Sequence, residues 1–539
     1  MHEAENLLNF AGPANAVWST ANAGEAMPGS LTPLNWTIFG TVAEIAIRHG
    51  FNQVGALSRK NVCVPENRHE RCIGIFFGHA ALKVDFLCEM GSRMPGMSGE
   101  AVAMQLLGSA PPGLPNGAQI WRYPIIALRL PWQWLTLKRK LDAMVRRTSP
   151  DWWRASVRRA PMLSHPEAIA QLKDGYRHFL DANLIQTVSV LAAIQPAFEA
   201  LSKLISKAKL SELRGDLMAG YGSHVESAMV YDMWAISRGR LTVEAFLDAY
   251  GFHGPREGEI SGKVWREDPA PLRRLIDGYR RLGEEADPSR LEAVKVRLRL
   301  VAEEKLLSAL PWGQRPAARL VMRAASYFVP MRGIGKMAFL SALDVLRATA
   351  RRIGQCLVEA RLLDDPNDVF YLTYDELIGP MPTDARRLVG ERRSLVDHYA
   401  NYTLPRWWQG PQPEPIESKP ARNAETAEVG AVLRGIGASV GVIEGFVEVV
   451  TNPDFADVPD DRILVAPTTD PSWVPLMYLS KALVVDIGGE LSHAAVVARE
   501  LGIPCVVGTN HGSRALRSGD FCRVDGGAGT VEVLRRAPS

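Results

Sequence analysis

The sequence predicts a multidomain chain: a large, mainly α-helical domain followed by a small α/β domain. Three observations carry this. Apolar residues recur at three- and four-residue steps over most of residues 14–403; prolines then cluster in 404–430; short β-branched runs with one good helix fill 431–537. A length of 539 residues suits two to four domains, and 47% hydrophobic with 22% charged residues suits globular cores.

The clearest helix covers 337–363. Phe339, Leu343, Leu346, Ala350, Ile353 and Leu357 form one apolar stripe, with Arg347, Arg351 and Arg352 read onto other faces. Further helical regions are expected at 165–209 and 288–310. Residues 106–131, rich in Gly and Pro, read as loop. The segment 404–430 holds Pro405, Pro411, Pro413, Pro415 and Pro420 and reads as a stiff interdomain linker. Beyond it, runs such as Ile463–Ala466, Leu483–Val485 and Cys505–Val507 read as strands. The helix from about His493 to Leu501 ends at Gly502, a natural residue for a helix C-terminus.

Composition excludes several classes. A net charge of +3 gives no whole-chain reason to expect nucleic acid. Six cysteines without a CxxC pair signal neither a zinc nor a redox site, so no metal ligands are assigned, and they suit a reducing cytoplasm. The acidic N-terminus is not a secretory signal. The most apolar stretch, Val188 to Phe198, is broken by Gln195 and Pro196, so no membrane span and no membrane partner are expected.

Chemistry concentrates in Gly488-Gly489-Glu490-Leu491-Ser492-His493-Ala494-Ala495-Val496-Val497-Ala498-Arg499-Glu500-Leu501-Gly502-Ile503-Pro504. Gly488 and Gly489 let the backbone turn tightly out of a strand. Ser492 is placed to cap the next helix, which puts His493 in the first turn, where backbone N–H groups and the dipole favour an anion. A neutral imidazole there is a nucleophile. A lone histidine at a helix start is more often structural. This string, however, resembles at every fixed position the phosphohistidine signature of the phosphoenolpyruvate-utilising enzymes, whose small domain swivels between two sites. Thr469-Asp470-Pro471-Ser472-Trp473 is similar to a segment that family holds near its phosphohistidine.

The layout is most similar to the rifampicin phosphotransferase and phenylphosphate synthase group. Segments around Glu25, around Phe246–Glu259 and over Asp364–Leu372 resemble that group's substrate domain. The sequence opens directly on such a segment, ends five residues after Leu534, and shows no Walker-type string. The resemblance therefore implies a separate ATP-grasp subunit that charges His493 from ATP with Mg2+, and no nucleotide held by this chain alone.

Acceptor-site candidates follow. Arg332 and Lys336 are four apart, suited to clamping a phosphoryl group from one helix face, although Gly333 and Gly335 weaken a helical reading. They resemble the family's Arg-x-x-x-Lys pair; an ordinary surface pair is the alternative. In Tyr250-Gly251-Phe252-His253-Gly254-Pro255-Arg256-Glu257, His253 is a candidate general base, against a structural role, and Glu257 and Glu25 are candidates for binding substrate. Trp152-Trp153 and Trp407-Trp408 either line an apolar pocket or pack in cores. The expected function is phosphoryl transfer from His493 to a small-molecule alcohol or phenol. A dehydratase acting through a phosphorylated alcohol and a non-catalytic phosphocarrier stand as alternatives.

Overall fold

The computed structural model describes the chain apart from residues 1–6, 108–109, 211–212, 222–224, 418–426, 452–460, 490–491 and 539. Contacts divide it into two units. One comprises Met1–Val188, Arg256–Lys263 and Gly335–Arg422; the other comprises Ser189–Pro255, Val264–Ile334 and Asn423–Ser539. The helical region is thus shared between the units, and one of the boundaries, between Arg422 and Asn423, falls within 404–430.

The first unit is mainly helical, with a four-stranded antiparallel sheet. Strand β1 (Val17–Ser19) lies between β3 (His79–Lys83) and β5 (Trp407–Gln409), and β2 (Ile73–Phe76) pairs outside β3. A separate ribbon joins β4 (Tyr402–Thr403) to β6 (Ile416–Glu417). Two of these strands, β5 and β6, fall in the segment read as linker. Trp408 explains the first: its ring meets Phe76 at 4.9 Å, and Phe76 meets Trp18 at 4.9 Å. That aromatic stack is worth burying despite the flanking prolines. Trp408 is therefore a core residue. Trp153 is too, with its indole N–H donating to Asp344 at 2.8 Å.

The helix Arg332–Glu359 carries the predicted stripe, and Phe339, Leu343, Leu346, Ala350, Ile353 and Leu357 are all buried. It forms through Gly335 because another chain segment approaches there. A Cβ on Gly335 would fall 1.8 Å from the Gln186 side chain, so close packing requires glycine. Arg347 departs from its expected place on another face: it is 1% exposed. Its guanidinium pairs with Asp344 at 2.9 Å and donates to the carbonyls of Glu257 at 3.2 Å and Glu259 at 3.3 Å. Those acceptors come from a distant segment, which no helical period reveals. The Asp364–Leu372 string packs here as well: Val369, Phe370 and Leu372 are buried, under a capping box formed by Asp365 and Asp368.

The reading of 106–131 as loop holds only in part, since a helix runs over Tyr123–Arg147. Pro124 sits in its first turn, where no backbone N–H is needed, and Pro131 lies on its exposed side.

The second unit joins helices to an eight-stranded mixed sheet. Its strands are β7 (Val432–Arg434), β8 (Ile436–Ser439), β9 (Val442–Val449), β10 (Ile463–Ala466), β11 (Ala482–Val485), β12 (Cys505–Val507), β13 (Phe521–Asp525) and β14 (Thr530–Arg535). Their order is β7-β14-β13-β9-β10-β11-β12-β8. Strands β9 to β12 are parallel; the flanking pairs are antiparallel. Every residue of β10, β11 and β12 is buried, as expected of parallel strands covered on both faces.

The Val188–Phe198 stretch is helical instead of interrupted. Helix His165–Ser189 passes into a π-turn over Val190–Ile194, and helix Gln195–Ala208 follows with Pro196 in its first turn. By length and composition alone, His165–Ala208 is sufficient to cross a membrane, and 44% of its most apolar window is buried in the protein.

Asp344→Ala is expected to destabilise the first unit by about 3 kcal/mol, because it strips a buried guanidinium and a buried indole N–H of their shared acceptor. Chemical denaturation of the two proteins measures this.

Candidate functional site

The parallel strands set the site. Loops leaving the carboxyl ends of β10, β11 and β12 bring Thr469, residues 486–489, Ser492, His493 and Thr509 to one edge, where open α/β sheets bind ligands. Backbone bonds continue past the strands: Asp486 N–H donates to Ala466 O at 3.1 Å, and Asn510 N–H to Asp486 O at 3.1 Å. The Asp486 carboxylate, 5% exposed, accepts from the Thr509 hydroxyl at 2.8 Å and from Ser513 N–H at 3.1 Å. Asp486 therefore ties the two loops together. Sequence reasoning missed it, because a single acid at a strand end carries no pattern.

Ser492 caps the helix His493–Leu501 as predicted. Its extended backbone (φ −62°, ψ 161°) turns the side chain to accept from Ala495 N–H at 3.3 Å. Gly488 is required beside it, since a Cβ there would lie 2.9 Å from the Ser492 hydroxyl. Gly489 supplies the carbonyl that Ser492 N–H meets at 3.0 Å. His493 is the first helical residue and is 2% exposed. Its Nδ1 lies 3.4 Å from the Thr469 hydroxyl, a long contact that still fixes which ring edge faces the loop. Asp470 acts locally, accepting from Ser472 N–H at 2.9 Å to cap the turn Pro471–Trp473.

One turn along the same helix, Val496, Arg499 and Glu500 line a small solvent-connected cavity of about 30 Å3. Its other walls include Ile194, Phe198, Leu201, Met218, Tyr221, Arg332 and Gly333, all within the second unit. Arg499 donates to Ala438 O at 3.0 Å, and its guanidinium lies 5.8 Å from the Phe198 ring centre. Arg332 opens the helix Arg332–Glu359 and Lys336 lies one turn on, but Lys336 groups with the first unit.

The remaining candidates are spread out. His253 is 2% exposed in the second unit, 4.4 Å from the Phe252 ring and 5.9 Å from the Trp265 ring. Glu257 is 3% exposed and belongs to the first unit, and its backbone carbonyl holds Arg347. Glu25, half-buried, lies in the short helix Ala23–Ala26 of the first unit. Among the described residues no cluster of His, Cys, Asp and Glu is placed to hold a metal ion.

The other end of the His493 helix has a partner that sequence reasoning also missed. The Lys295 ammonium donates to Glu500 O, near the negative end of the helix dipole. Burial pushes this amine down to about 8, against the opposing pull of Glu500 and Glu292. Beside it, Tyr279 stacks on Tyr478 at 5.4 Å and donates to Pro475 O at 3.2 Å.

The sheet of buried strands thus presents a capped helix with a histidine in its first turn, and a family match falls on this region. Residues 458–529 match the PEP-utilising enzyme mobile domain, and residues 239–333 match the rifampicin phosphotransferase fourth domain. The chain carries both. His493 lies in the first, His253 and Arg332 in the second.

Among curated relatives, a rifampicin phosphotransferase of Streptomyces sp is 35% identical over 298 residues, covering 54% of this chain and 34% of that protein. One from Bacillus subtilis (strain 168) is 29% identical over 312 residues, covering 55% and 35%. An uncharacterised protein of Mycobacterium tuberculosis (strain ATCC 25618 / H37Rv) is 31% identical over 339 residues, covering 63% and 36%. The matched part is about a third of the length of these relatives.

Two outcomes are expected here. Gly488→Ala displaces the Ser492 cap and costs about 1 kcal/mol, read as a lowered thermal midpoint. The second concerns Lys295, whose lowered pKa means that opening its contact takes up a proton between about 8 and 10.5. The closed contact is therefore favoured as pH rises through that window. Amide exchange at Arg499–Gly502, corrected for its intrinsic pH dependence, should slow across it in the natural protein and not in Lys295→Met.

Proposed function

We propose that this chain is a phosphotransferase subunit that carries a phosphoryl group on His493 and passes it to an alcohol or phenol. The observation that carries the reading is His493 at a capped helix start, one turn from an apolar cavity holding Arg332 and Arg499. With Nδ1 turned toward Thr469, Nε2 is the nucleophile. Its lone pair forms the P–N bond as the donor's P–O bond breaks. The helix-start amides and dipole stabilise the charge brought to that position.

In the second step the acceptor oxygen attacks phosphorus, the P–N bond breaks, and the acceptor's proton ends on the released imidazole. Proton balance therefore needs no further base, and the aromatic packing around His253 fits a structural part for that residue. Arg332 and Arg499 neutralise phosphoryl charge, and the aliphatic and aromatic walls hold the acceptor's apolar body. The phosphoryl donor is ATP bound with Mg2+ on a separate ATP-grasp subunit, and the domain carrying His493 moves between donor and acceptor. Support for the movement is the likeness of residues 458–529 to the PEP-utilising enzyme mobile domain.

Incubation with an ATP-grasp partner and β-labelled ATP should place acid-labile, base-stable label on this chain and none on His493→Ala. Label that persists in His493→Ala would overturn the reading. Arg332→Met should leave charging intact and slow transfer to the acceptor about a hundredfold; equal slowing of both steps would remove Arg332 from the acceptor side.

A further inference from the structure

The helix Tyr123–Arg147 buries Ile126, Leu137, Leu141 and Met144, yet its opposite face is also apolar. Leu128, Trp132 and Leu135 are 80%, 63% and 80% exposed, and Trp121, just before the helix, is 57% exposed. At 100° per residue these side chains share one outward line. Arg139 and Arg146 continue that line, with exposed Lys138 and Arg147 beside it. Residues 122–159 contain ten Lys and Arg against two Asp, a local charge of +8 in a chain whose total is +3. Acidic neighbours include Asp181 at 3.1 Å from Arg147, Asp151 at 2.6 Å from Arg154 and Glu167 at 3.9 Å from Arg159, whereas Lys138, Arg139 and Arg146 lie exposed along or beside the apolar line.

We propose that this face docks on an anionic phospholipid surface. Tryptophan and leucine insert at the headgroup boundary, and the lysines and arginines meet the lipid phosphates. The charge argues against a second copy of this chain, because like-charged helices would oppose one another. The leucines argue against nucleic acid, since they neither stack on bases nor bond to phosphates. Whole-chain charge hides the patch: the rest of the chain sums to −5. Peripheral docking also needs no spanning segment, so the expectation of no membrane partner, drawn from spans, does not bear on it.

The test is co-sedimentation of the full chain with phosphatidylcholine vesicles, with and without a third of phosphatidylglycerol. Binding is expected only to the anionic vesicles, with a blue shift in tryptophan emission, and it should fall as salt rises from about 100 to about 500 mM. The double substitution Trp132→Glu with Leu135→Glu should lower binding about tenfold while circular dichroism stays unchanged. A second variant, Lys138→Ala with Arg139→Ala, should weaken binding without touching the apolar line. Equal binding to both vesicle types, no binding, or undiminished binding by both variants would overturn the proposal. So would self-association of the natural protein that Trp132→Glu with Leu135→Glu abolishes.

Discussion

The cap on the His493 helix is the constraint on which the rest of the site depends. Ser492 bonds to Ala495 N–H, and this fixes where the helix begins, hence which residue occupies its first turn. A start one residue later would leave His493 in the loop, away from the aligned dipoles. The cap in turn depends on Gly488, whose missing side chain leaves room for the Ser492 hydroxyl, and on strands β10 to β12, whose complete burial holds the loop ends in place. A chain of small requirements therefore runs from apolar β-branched runs to the position of one imidazole.

This helix is addressed at both ends. At its start lie the Thr469 contact and the anion-favouring amides; at its end Lys295 meets a terminal carbonyl. Between them Val496 and Arg499 face the cavity. The cation costs desolvation and gains from the dipole, so the contact is held in balance and is not locked. Under the proposed function this balance matters, since a docked state stabilised by many kcal/mol would be left too rarely.

What the sequence revealed follows from the range of each interaction. The His493 helix was legible because its cap, its first-turn residue and its terminal glycine are neighbours in the chain. The parallel strands were legible because burial on both faces writes itself as unbroken apolar runs. Arg347 was not, because its carbonyl acceptors lie about ninety positions away and a charged residue reads as solvated by default. Asp486 and Lys295 escaped for the same reason. The strand at Trp407–Gln409 was hidden by prolines, whose local preference yielded to an aromatic stack formed with Phe76. The helix at 123–131 was hidden by Pro124, in the first turn where no backbone N–H is needed, and by Pro131, which the helix carries in its interior at the loss of one backbone hydrogen bond.

Among the candidate residues, those of the continuous signature share one capped turn, and two from separate, shorter likenesses reach its helix. Thr469 and His493 touch, and Arg332 joins Arg499 around one cavity. Glu25, Glu257 and Lys336 came from shorter likenesses, and they lie in the other unit. A dense string constrains a whole turn of backbone, so its side chains inherit a shared geometry. A two- or three-residue likeness constrains identity without placement, and tertiary contacts then decide what each residue does. Glu257 shows the difference: whatever its carboxylate does, its backbone carbonyl is part of the support for the buried Arg347.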